Sequence, residues 1–156
     1  MIVVLVRHGE AEPKSPAKPD KDRDLTQLGL EQARRAAKVL KSMKMLPDLA
    51  YSSPYLRAKR TAETIVEELG LKVRVEPARE LEPDGDPDKL KSFLDNLSKL
   101  DGERSVLMVS HEPFLSTFVK SVTGGNVKLG TGGIAVIEYS SEGSTLLALI
   151  PQEAVT

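Results

Sequence analysis

Ile2-Val3-Val4-Leu5-Val6 is an unbroken apolar run, β-branched at every position but one. A strand with one face in water alternates apolar and polar residues. A run without alternation is a strand covered on both faces, the place of an inner strand in a parallel sheet. Val106-Leu107-Met108-Val109 repeats the pattern. Between and after these runs, apolar residues recur at helical spacing, so strands alternate with helices and the expected class is α/β. The expected architecture is a three-layer α/β/α sandwich around a mostly parallel central sheet, as one domain over 1–156.

Composition narrows the function classes. The chain has 156 residues, 40% hydrophobic and 29% charged, the profile of one ordinary domain. Twenty-two Lys and Arg face 23 Asp and Glu, so no global positive charge exists to bind nucleic acid or an anionic membrane. Any anion site must be local. The opening apolar run ends at Arg7, too early for a signal h-region or a membrane span, and a cytoplasmic location is expected. With no cysteine, disulfides, thiolate metal ligands and a cysteine nucleophile are excluded. With two histidines, a three-histidine metal site is excluded as well, and a zinc site would need carboxylates; the expectation is no metal and no cofactor.

The helices carry start and stop signals. Thr26 is placed to cap a first helix, with Leu25 and Leu30 as a hydrophobic staple and Leu30, Ala33, Ala37 and Leu40 as its buried stripe. A short strand over 48–51 leads to Ser53, an N-cap candidate with Pro54 at the first helical position. Ala58, Ala62, Ile65 and Leu69 form that helix's inner face, and Gly70 stops it. Alternation over 71–75 predicts a third strand. Asp86-Pro87 starts a helix facing inward through Leu90, Phe93, Leu94 and Leu97. Pro113 opens another, carrying Phe114, Leu115, Phe118, Val119 and Val122 and ended by Gly124-Gly125. The segments 134–139 and 145–150 around Ser140-Ser141-Glu142-Gly143 read as a C-terminal β-hairpin. The stretch 13–24, with prolines at 13, 16 and 19, reads as a mobile surface loop. Gly130-Thr131-Gly132-Gly133 precedes a strand instead of following one, and reads as a turn rather than a phosphate cradle.

In open α/β sheets, ligands bind beyond the carboxyl ends of the parallel strands, where loops converge and helices present their N-termini. The first strand ends in Arg7-His8-Gly9-Glu10, and the second in Ser52-Ser53 with Arg57 one turn into the next helix. Glu80, Glu82 and Asp84 follow the third, and Ser110-His111-Glu112 ends the fourth. Both histidines thus fall at one edge of the sheet. A lone surface histidine or arginine is most often a solvated side chain or half of a weak ion pair. Together these residues suit phosphoryl transfer. Arginine forks match phosphate oxygens, and a neutral imidazole is a competent phosphorus nucleophile when its other nitrogen is held.

Arg7-His8-Gly9-Glu10 resembles the RHG signature of the histidine phosphatase (phosphoglycerate mutase-like) superfamily. Leu25-Thr26, Gly29 and Gln32-Ala33 resemble its LTxxGxxQA segment, and Ser52-Ser53-Pro54 with Leu56-Arg57-Ala58 and Thr61-Ala62 its SSPxLRAxxTA segment. Ser110-His111 resembles the second-histidine motif. The small size, Glu80-Leu81 through Gly85-Asp86, and Ser110-His111-Glu112-Pro113 resemble the short phosphohistidine phosphatase, or SixA-like, branch. The larger relatives carry an inserted helical segment for which this chain has little room.

The resemblance implies a phosphoglycerate mutase-like fold and a metal-independent phosphatase with a phosphohistidine intermediate. By motif position, His8 is the nucleophile, and Arg7, Arg57 and His111 bind the phosphoryl oxygens. Glu82 is the general acid, with Glu80, or no acid at all, as alternatives. The implied partner is a phosphorylated protein or a small phosphorylated metabolite. A small-molecule phosphomonoesterase, a phosphoglycerate-type mutase and an inactive phosphate-binding relative stand as rival readings.

Overall fold

The computed structural model describes residues 1–101 and 104–154. Six strands form one sheet: β1 (Ile2–Arg7), β2 (Leu49–Ser52), β3 (Val75–Pro77), β4 (Ser105–Ser110), β5 (Ile134–Glu138) and β6 (Thr145–Ile150), in the order β3-β2-β4-β1-β5-β6. β1, β4, β2 and β3 run parallel, while β5 lies antiparallel to β1 and β6 antiparallel to β5. The C-terminal hairpin thus extends a parallel sheet by two antiparallel strands.

The helices are α1 (Gln27–Ser42), α2 (Leu56–Glu68), α3 (Pro87–Asp101) and α4 (Phe114–Thr123). Val4, Val6, Leu107 and Val109 pack with Ala33, Ala37 and Leu40 of α1 and Ala58, Ala62 and Ile65 of α2. Val3, Leu5, Val106 and Met108 pack on the opposite face with Leu90 and Leu94 of α3 and Leu115 and Phe118 of α4. Successive residues of β1 and β4 therefore enter two different cores, which is why neither strand alternates. The layering is the α/β/α sandwich the sequence predicts. Among the described residues no helix is long and apolar enough to cross a membrane.

Three local expectations need correction, and the loop at 13–24 gains detail. Leu30 is only half-buried, and Gly29 and Gln32 take the inner positions beside it, because the start of α1 lies against the backbone at 9–10. Ser53 is not an N-cap. The chain bends at 54–55 and Tyr55 caps α2 without a side-chain bond, while the Ser53 hydroxyl accepts from the Tyr55 N–H and meets His111. The third strand lies at 75–77, since only these residues pair with β2, whereas Leu71 and Val73 pack half-buried against the α1–α2 core. The stretch 13–24 holds a turn of 3-10 helix, Asp20–Asp22, and is tied by side-chain bonds described below. Thr26 caps α1 as expected, accepting from the Gly29 N–H at 3.1 Å.

Candidate active site

β1 and β4 are neighbours, and their last residues, Arg7 and Ser110, are paired in register. The residue after each is a histidine, so parallel pairing alone brings His8 and His111 side by side. Their ring centroids are 5.0 Å apart at an interplanar angle of 61°. β2 lies on the other side of β4, and the helix that follows it carries Arg57, whose Nε donates to His8 Nε2 at 3.4 Å. Arg7 precedes His8 and is braced by a bond from Nη1 to the Leu129 carbonyl at 3.1 Å. Four residues spread from position 7 to position 111 meet at one edge of the sheet.

The tautomer of His8 follows from its partners. Nδ1 lies 2.7 Å from the Gly9 carbonyl, which can only accept, so Nδ1 carries the proton and Nε2 offers its lone pair. The turn holding this ring is fixed from two directions. Gly9 N–H donates to Thr61 Oγ1 at 3.1 Å, and the Thr61 hydroxyl donates to the Arg57 carbonyl at 2.8 Å, linking the two motifs through α2. Glu10 N–H donates to Gln32 Oε1 at 2.7 Å. A Cβ on Gly9 would overlap the Gly29 carbonyl, and one on Gly29 would overlap that of Glu10, so glycine at both is a packing requirement. The 130–133 turn buttresses the same point from behind, with Gly132 N–H donating to the Arg7 carbonyl at 3.0 Å.

His111 Nε2 lies 2.8 Å from Ser53 Oγ, which also accepts from the Tyr55 N–H at 3.2 Å. The Tyr55 ring stands edge-on to His111 at 5.3 Å and lies under the Arg57 guanidinium at 5.1 Å. Two buried polar atoms of this group, Arg7 Nε and His111 Nδ1, have no hydrogen-bond partner. Buried polar atoms are rarely left unpaired unless a ligand completes them.

Both imidazoles are neutral. Loss of hydration pushes the His8 pKa from 6.5 down to about 4, helped by Arg57, Arg7 and Arg23 and opposed by the Gly9 hydrogen bond. Burial pushes His111 down to about 2, with His8 and Arg57 adding to the effect. The two residues are 8% and 2% exposed, so desolvation is the expected leading cause.

The carboxylates stand further out. Glu82 is half-buried just after a 3-10 turn, Arg79–Leu81, which is tied beside His111 by the Ser110 hydroxyl donating to the Leu81 carbonyl at 2.6 Å. Burial, with the nearby charges of Glu82, Asp84 and Asp20, holds the Tyr55 phenol above its ordinary pKa. Glu80 lines a shallow depression against α3 with Asp88 and Lys89. Among the described residues no group of three or more His, Cys, Asp or Glu is placed to hold a metal ion.

Residues 3–82 match the sequence model of the histidine phosphatase superfamily, branch 1. The chain belongs to the histidine phosphatase superfamily. Over 146 residues this histidine phosphatase is 32% identical to phosphohistidine phosphatase SixA of Escherichia coli (strain K12), covering 92% of this chain and 89% of that protein. It superposes on the structure of the protein histidine phosphatase SixA complexed with tungstate with a TM-score of 0.89 at 30% identity, over 97% of each chain. A 2,3-bisphosphoglycerate-dependent phosphoglycerate mutase of Afipia carboxidovorans is 44% identical over 71 residues, 44% of this chain but 34% of the mutase. The likeness to SixA thus runs nearly the whole length of this histidine phosphatase, and that to the mutase covers a part.

The motif residues Gln32, Thr61 and Ser53 were legible as a pattern, yet their contacts with the His8 turn and His111 were not. Asp20, which bonds Arg57, had no signal beyond its place in a charged loop.

Proposed function

We propose that this histidine phosphatase hydrolyses phosphohistidine on a protein, through a phosphoryl group carried transiently on its own His8. The observation that supports it most is His8 itself: a buried neutral ring, its proton fixed on Nδ1, its Nε2 lone pair turned toward Arg57. In the first step Nε2 attacks phosphorus, the P–N bond of the substrate breaks, and the leaving imidazole takes up a proton. In the second, water attacks the phosphorus on His8, giving phosphate and restoring the free ring. Each transition state spreads negative charge over three oxygens, and preorganised donors are the main means of stabilising it.

Arg57 and Arg7 supply fixed positive charge, and Arg7 Nε is an unused donor. His111 supplies a further one if Ser53 donates its hydroxyl proton to Nε2. That arrangement uses both the donor and an acceptor position of Ser53, and it leaves the His111 proton on Nδ1, the atom without a partner. Charge neutralisation then comes from side chains, and the reading requires no metal.

The substrate class is supported by three considerations. E. coli SixA is named for phosphohistidine. β3 passes through one 3-10 turn directly into α3, with no inserted helical segment to enclose a small bisphosphate. A phosphoramidate leaves with little help from an acid, which fits a Glu82 that makes no hydrogen bond to His8, His111 or Arg57. Glu82 is the proton donor of this reading for substrates that need one.

Purified protein should release phosphate from a phosphohistidine-bearing protein in the presence of a chelator, while the His8→Ala variant releases none. It should not move phosphate between the positions of a phosphoglycerate. Mutase activity, or hydrolysis surviving in His8→Ala, would refute the assignment.

A further inference from the structure

All three nitrogens of the Arg57 guanidinium are engaged. Its Nη1 donates to the Asp20 carbonyl at 2.9 Å and its Nη2 to the Asp20 carboxylate at 3.3 Å, while Nε faces His8. The other oxygen of that carboxylate accepts from Arg23 Nε at 2.8 Å, and Arg23 Nη1 donates to the Glu12 carbonyl at 2.6 Å. Asp20 therefore joins two guanidiniums whose like charges oppose each other, and both of those charges act on His8.

An exposed ion pair would carry little meaning, since such pairs are worth about 0–1 kcal/mol. This one is asymmetric. The Arg57 side chain is 6% exposed and that of Asp20 42%, so a surface loop reaches inward to a buried guanidinium. Arginine has five donors in a rigid planar fork, and fixing the two terminal nitrogens fixes the direction of the third.

We propose that Asp20 is a positioning residue for phosphoryl transfer: by holding both terminal nitrogens of Arg57, it turns the Nε–H edge toward His8 Nε2, where the phosphoryl group must lie. The loop 13–24 is then part of the active site and not a cover beside it. This rests on the reading of His8 as nucleophile. Asp20 touches no reacting atom in this scheme and acts only through Arg57, with Arg23 keeping the carboxylate in place.

The test is a double-mutant cycle of Asp20→Ala with Arg57→Ala, with Asp20→Asn as a milder variant. Three quantities are read: kcat and KM on one aryl phosphate, the affinity for inorganic phosphate by calorimetry, and thermal melting. Asp20→Ala removes the carboxylate bonds to Arg57 Nη2 and Arg23 Nε while the backbone bond to Arg57 Nη1 stays, and losing this second point of hold should lower kcat by about tenfold, with melting little changed, as misorientation of a positioned group does. Asp20→Asn, which keeps an acceptor oxygen without the charge, should fall between. In the Arg57→Ala background Asp20→Ala should have no further effect on kcat or on phosphate affinity.

Additive losses in the double variant would overturn the proposal, as would an unchanged kcat in Asp20→Ala. Tighter phosphate binding with kcat maintained would overturn it too, showing that Asp20 competes with the substrate. Phosphate affinity carries the test without turnover. If the wild type leaves phosphohistidine untouched, the substrate assignment fails, and Asp20 is still judged on whether its loss weakens phosphate binding through Arg57.

Discussion

His8 stays uncharged among three arginines because an imidazolium there would lose its hydration and meet their repulsion, which together outweigh the Gly9 hydrogen bond. That state has a measurable signature. A ring whose pKa is lowered from 6.5 to about 4 is neutral at any pH well above 4 and takes up its proton, losing its lone pair, only as the pH falls through that value. In anion-free protein, NMR titration of the ring protons should show both histidines still neutral at about pH 5.5, where an unperturbed histidine is mostly charged. A midpoint near 6.5 for His8 would contradict the account. Since the sequence has two histidines, one substitution assigns both signals. Added phosphate, being anionic, should move both midpoints upward.

The elements owe their accuracy in placing the site to contacts between backbones. The start of α1 touches the turn at 9–10 so closely that Gly29 has no room for a side chain. Gly29→Ala should therefore push α1 away from the turn, costing about 1–3 kcal/mol as overpacking does, and should lower kcat by moving His8. Chemical denaturation and steady-state kinetics check the two effects. Full activity with unchanged stability would show that the turn is held by Gln32 and Thr61 alone.

Element ends were the least legible features of the sequence. Thr26 announced the first helix correctly because an N-cap is a local bond, three residues long. Ser53 carried the same local signal, yet the helix starts two residues later: the Ser53 hydroxyl accepts from the Tyr55 N–H and also meets His111, 58 residues away. The alternation over 71–75 was real, yet pairing with β2 begins only at Val75, since an edge segment can bury one face without joining the ladder.

At the scale of the molecule, the layering and the candidate site were legible for one shared reason. Two unbroken apolar strands are inner strands of a parallel sheet, and the residues after them fall at one edge of it; that β1 and β4 are neighbours is seen in the structure. His8 and His111 follow from that rule, and Arg57 follows from the helix after β2. What the rule cannot supply is the ring of supporting bonds from Asp20, Ser53 and Thr61. These depend on side chains crossing between elements at distances that no spacing in the sequence records.

The central claim is that this edge of the sheet carries a phosphoryl group on one imidazole. Rapid quenching during turnover of a labelled substrate, followed by peptide mapping, tests it most directly. The predicted result is an acid-labile, base-stable label on His8 that is absent from His8→Ala. A label on Ser52, Ser53 or His111, or turnover with no labelled protein at all, would contradict it.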